Sequence, residues 1–93
     1  MKKITDKLEE IAHSAKNPSE QAKTAEAIKA LRLLVKDPKE SDGLPKEALG
    51  RLDGELDVWQ SKISVILKEP AGREGMARHA KHWVGELGKY HGG

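Results

Sequence analysis

There is no cysteine among the 93 residues. Disulfides, thiolate nucleophiles and cysteine-bound zinc are therefore excluded, and a disulfide-free chain of this size fits a cytoplasmic setting. Aromatic rings are scarce: two tryptophans, one tyrosine and no phenylalanine. So few rings, all expected on core stripes, leave no stacking platform for single-stranded nucleic acid. An excess of one charge is also missing. Seventeen Lys and Arg stand against fifteen Asp and Glu, a net of +2. That balance does not by itself imply a nucleic acid or an acidic membrane as partner. No stretch approaches the roughly 18 apolar residues of a membrane span. The start, Met1-Lys2-Lys3-Ile4-Thr5-Asp6, has the basic residues of a signal peptide but no apolar run behind them. No membrane partner is expected.

What is present is aliphatic residues at helical spacing. Ile4, Leu8, Ile11 and Ala15 recur at intervals of four, three and four, which places them on one stripe of a helix. Asn17-Pro18-Ser19-Glu20 reads as a helix start: Asn17 caps free amides, Pro18 fits the first helical position, and Glu20 takes the capping-box place. Ile28, Leu31 and Val35 face inward on the helix that follows, widened by Ala27 and Leu34. Asp37-Pro38 stops it, since the residue before proline is pushed out of helical geometry. A third seam runs Leu49, Leu52, Leu56, Trp59, Ile63, Ile66 and is heptad-like. Glu69-Pro70-Ala71-Gly72 is expected to end it. A fourth runs Met76, Ala80, Trp83, Leu87, Tyr90.

These patterns predict an all-α chain, with one domain over residues 1–93 and helices at about 4–16, 18–36, 45–68 and 73–90. Short connections favour a four-helix antiparallel bundle of up-down-up-down order. The point of doubt lies in the third helix, where Asp53-Gly54 is also a turn signal. The helix is preferred because the seam keeps its phase through Gly54. A break there would leave pieces 45–52 and 55–67 as a helix-turn-helix, but Glu55 and Asp57 would then meet DNA phosphates badly. The terminal Gly92-Gly93 resembles the exposed diglycine that ubiquitin-like proteins use for conjugation. Their β-grasp fold does not suit a helical chain, so the pair is expected to be a flexible end.

Three groups of residues are candidates for function. His79, His82 and Glu86 share one side of the fourth helix, and imidazole with carboxylate can bind a divalent metal; a polar outer face is the competing account. Arg78, Lys81 and Lys89 make that helix locally basic and suited to phosphates, against the alternative of a solvated face. Leu33, Val58 and Val65 lie off the apolar seams. Clustered apolar residues outside a core mark a contact surface, while a wider buried face would absorb the valines. Gly50, Gly54, Gly85 and Gly88 fall on outer helix sides, where they weaken helices without serving the core. No nucleophile elbow, triad context or phosphate-binding glycine loop is present, and no cofactor is expected.

The leading expectation is a small non-enzymatic, regulatory or adaptor module that binds another protein or itself through Leu33, Val58 and Val65. The alternatives are a nucleic-acid-binding domain using the fourth helix and a metal-binding helical protein.

Overall fold

A computed structural model describes residues 2–91. The Gly92-Gly93 end, Met1 and the His91 side chain lie outside what it describes. The regular elements are α1 (Lys2–Ser14), a 3-10 turn (Pro18–Glu20), α2 (Gln21–Lys36), α3 (Lys46–Ser61), α4 (Ile63–Ile66) and α5 (Pro70–His91), with no strand among the described residues. The all-helical expectation is thus met, with five helices where four were expected.

The core is made of the stripes read from the sequence. Ile4, Leu8 and Ile11 of α1, Ile28 and Leu31 of α2, Leu52 and Leu56 of α3, and Ala80 and Leu87 of α5 are completely buried. Met76, Trp59 and Trp83 join them in one hydrophobic cluster. Burial of a side chain of this size contributes about 1.5–3 kcal/mol. α1 packs against both α2 and α5, α2 against α3, and α4 links α3 to α5. The radius of gyration is 12.5 Å, close to the roughly 12 Å expected of a compact chain of this length.

The chain enters α2 through Asn17. Its side-chain oxygen accepts from the Ser19 amide at 3.0 Å and the Ser19 hydroxyl at 2.8 Å, and its amide donates to Glu20 at 3.2 Å. The cap therefore serves a 3-10 turn, and α2 proper begins three residues later than expected. At the far end Asp37 is extended, and its carboxylate accepts from the Lys39 amide at 2.9 Å. The connection from there to α3 contains Gly43 at a φ of +88°, a conformation that only glycine adopts without strain. It also delivers Leu44 to the core.

Two boundaries differ from expectation. α3 runs straight through Asp53-Gly54, so the helix-turn-helix pieces do not form. The break comes instead at Lys62, whose backbone leaves helical geometry (φ −117°, ψ 20°). Three of the four residues beyond it, Ile63, Val65 and Ile66, are β-branched and resist continuing a helix. The break shifts the phase: Leu67 is buried, Ile63 and Ile66 are only partly so, and Val65 points outward. The second difference is that Glu69-Pro70-Ala71-Gly72 begins α5 rather than ending its predecessor. Pro70 occupies the first helical position, where its missing amide is no loss. Tyr90, assigned to a core stripe by spacing, is 43% exposed.

One buried polar contact was not anticipated. The hydroxyls of Ser14 and Thr24, both fully buried, share a hydrogen bond of 2.7 Å across the α1–α2 corner. Thr24 also approaches the Glu20 carbonyl at 3.1 Å. Thr24→Val leaves the buried Ser14 hydroxyl without this partner and is expected to lower stability by about 1–3 kcal/mol, whereas Ser14→Ala leaves Thr24 the Glu20 carbonyl and should cost about 1 kcal/mol or less. The double variant should lose less than the sum, because no orphan remains. Urea denaturation of the four proteins measures the coupling, and strict additivity would refute it.

Candidate functional site

The exposed side of α5 is where charged side chains from three helices converge. A cleft of about 590 Å³ between the end of α1 and the first three turns of α5 is lined by Lys16, Pro70, Arg73, Glu74, Ala77, Arg78 and Lys81. Arg73 is held in place: one guanidinium nitrogen donates to the Leu67 carbonyl at 2.9 Å and the Lys68 carbonyl at 3.3 Å. These are carbonyls that the end of α4 leaves free. Lys16, Arg78 and Lys81 have no ion-pair partner among the described residues. The cleft thus gathers four cations against one acid.

Arg78 also lines a second cleft, shared with Arg51, Glu55, His79, His82 and Trp83. Here α3 and α5 are clasped by Glu55. One of its oxygens accepts from the Trp83 indole at 3.2 Å, and the other lies 3.1 Å from His79 Nδ1. The Arg51 guanidinium sits over the Trp83 ring, 5.9 Å from its centroid, within reach of a cation–π attraction. A third cleft is lined by Glu9, His13, Lys81, Val84 and Gly85. Arg78 and Lys81 are therefore the ridges between three adjoining depressions.

The expected metal set is not assembled. Among the described residues no three His, Asp or Glu side chains gather closely enough to hold an ion. His79 turns across to Glu55, while His82 lies 3.8 Å from Glu86 on its own helix. The i, i+3, i+7 spacing aligns the residues along a face, but Glu55 on the neighbouring helix draws His79 away. Glu86 is shared further with Lys89, at 3.3 Å. Lys89 is thereby neutralised and stands apart from Arg78 and Lys81.

A second charged cluster fastens α2 to α3. Arg32 donates to Asp53 at 3.2 Å, to Asp57 at 3.1 Å and to Gln60 at 2.7 Å. Those acceptors are spaced four and three residues apart, one stripe of α3. The hydrogen bond to Asp53 comes first in holding the guanidinium still more firmly protonated than usual; the two aspartate charges add to it against the opposing effect of partial burial. This cluster is saturated internally and offers little to a ligand.

The three off-seam apolar residues are all exposed: Leu33 67%, Val58 50% and Val65 69%. Leu33 lies with Ala30 and Leu34 along a groove of about 500 Å³ between α1 and α2, rimmed by Lys3, Asp6, Lys7 and Glu10. Val58 and Val65 stand on α3 and α4 and do not line this groove. Gly50, Gly54, Gly85 and Gly88 have open space where a side chain would stand. No described helix is long and apolar enough to cross a membrane. Comparison with family models, with curated proteins and with solved structures finds no match for this chain.

Proposed function

We propose that the chain is a small non-enzymatic module that docks another protein through the α1–α2 groove centred on Leu33. The observation that carries this reading is the large exposure of Leu33 beside Ala30 and Leu34. An apolar strip left outside the core gains free energy only when something covers it, about 25 cal/mol for each Å² removed from water. The rim carries two lysines and two acids. Its mixed charges suit a polar-edged helix, which sets its apolar face into a groove by anchors three and four residues apart. Val58 on α3 and Val65 on α4 are further exposed apolar side chains that a partner could cover.

The finer architecture belongs to the same proposal. Between α1 and α2, Ser14 meets Thr24 and Lys3 meets Glu40, just past the end of α2. In the clefts on α5, Lys16, His13 and Glu9 lie with Ala77, Lys81 and Gly85. On α3, Glu55 and Arg51 meet His79 and Trp83. In each pair one number rises as the other falls, the mark of antiparallel neighbours. That supports an up-down-up-down order, with α4 as a short link between α3 and α5.

The test compares wild type with Leu33→Asp, Val58→Asp and the double variant. Self-association is followed by sedimentation velocity over a concentration series. Partner retention is followed by affinity capture washed with high salt and nuclease. Binding that survives both washes in wild type and disappears in Leu33→Asp supports the groove. Binding that persists in the double variant overturns it.

A further inference from the structure

We infer that the cleft between α1 and α5 binds the phosphate backbone of double-stranded nucleic acid, with Lys16, Arg78 and Lys81 as the contacting cations. The argument begins with charge. Four cations and one acid line this cleft, a net of three positive charges in a chain whose whole net is +2. The remaining residues therefore sum to about −1, so the cleft carries more positive charge than the chain as a whole. Clefts lined by one sign of charge focus that field and raise the local concentration of counter-ions.

Availability is the second point. Lys16, Arg78 and Lys81 are exposed and lack an ion-pair partner among the described residues. Lys89, on the same helix, is tied to Glu86. Lys16 comes from the segment after α1 and the others from α5, so the tertiary fold creates the cluster; helix periodicity alone does not. Arg73 forms the cleft's back wall and is fixed by its two carbonyl acceptors.

Shape favours an extended anion over a single phosphate. Arg78 and Lys81 border three adjoining depressions; the outer two add Arg51, with Glu55 and Glu9 on their far walls and the polar rings of His13, His79 and His82 between. Arg73 to His82 spans nine residues, about 13 Å of helix. At about 3.4 Å per phosphate along one strand, that length covers roughly four phosphates. Bases are not read by stacking, because Trp59 and Trp83 are buried and the exposed Tyr90 lines none of the three depressions. Backbone contacts of this kind position a protein without selecting sequence.

The test is fluorescence anisotropy with a short fluorescein-labelled duplex in a salt series. Three phosphate contacts predict a log–log slope of about −2.7, or an affinity about 40-fold weaker at 200 mM than at 50 mM salt. Arg78→Gln with Lys81→Gln should flatten that slope by about 2, and Lys16→Gln alone by about 1. Lys89→Gln should leave it unchanged. Circular dichroism checks that the variants melt with wild type, as expected of exposed residues. Leu33→Asp should bind the duplex normally, which separates this site from the α1–α2 groove. The inference is overturned by absence of duplex binding at low salt, by a slope indifferent to Lys16, Arg78 and Lys81, or by binding to anionic vesicles but not to the duplex.

Discussion

Gly72→Ala is expected to destabilise the protein by about 2–4 kcal/mol, lowering the melting temperature by roughly 10–20 °C. A β-carbon at this position would overlap the carbonyl oxygen of Ile66 and stand 2.9 Å from its carbonyl carbon. The obstacle is backbone, so no rotamer change relieves it. The corner between α4 and α5 must open instead. Opening it disturbs the Arg73 guanidinium, whose acceptors Leu67 and Lys68 lie in that corner. The same substitution at Gly54 should have the opposite sign. Gly54 is inside α3 with nothing within 4 Å of an added β-carbon, so alanine should stabilise by about 0.5–1 kcal/mol through backbone entropy alone. Thermal melts followed by circular dichroism read both. A Gly72→Ala protein that melts with wild type would mean the corner relaxes at no measurable loss, and the account of its tightness would be wrong.

The contrast between Gly72 and Gly54 also shows what was legible in the chain. Both are glycines at suspected boundaries. Asp53-Gly54 is the louder turn signal, yet the helix continues, because the seam through Leu52, Leu56 and Trp59 keeps its phase and is buried, and Asp53 is also engaged by Arg32 from a position 21 residues earlier. That contact stands nowhere in the local pattern. The real interruption at Lys62 has no glycine or proline to announce it; only the β-branched run after it hints at the change. Pro70 was ambiguous for a different reason. Proline both ends a helix and begins one, and the outcome depended on whether Gly72 could meet the Ile66 carbonyl. The stripes of α1 and α2 were legible because a helix with apolar residues three and four apart has one way to bury them.

The candidate sites divide along the same line. Leu33, Val58 and Val65 were identified by being out of phase with their neighbours, and all three are exposed. Their grouping was not legible, since only Leu33 lines the α1–α2 groove. Arg78 and Lys81 were read from local charge on one helix. Lys16, which faces them from the end of α1, was not, because the two segments are brought together by packing alone. The metal set failed for a related reason: spacing along α5 says nothing about Glu55, and Glu55 decides where His79 points.

A pair of leucine truncations tests the division between core and docking surface most directly. Leu8→Ala should lower stability by about 3–5 kcal/mol, while Leu33→Ala should change it by no more than about 0.5 kcal/mol. Leu8 is completely buried on α1, the helix that packs against both α2 and α5. Truncating it removes a completely buried side chain and leaves a cavity in the helix that both neighbours pack against. For a chain of this length, whose total stability is expected at about 5–14 kcal/mol, that is a loss of roughly a fifth or more. Leu33 already spends the folded state in water, so truncation alters little on folding. The same logic makes Leu33 informative about binding: a residue whose removal leaves the fold intact can report on what covers it. Chemical denaturation of the two variants gives the comparison. If Leu33→Ala proved as damaging as Leu8→Ala, Leu33 would belong to the core in solution, and the α1–α2 groove would have to be closed in the isolated chain.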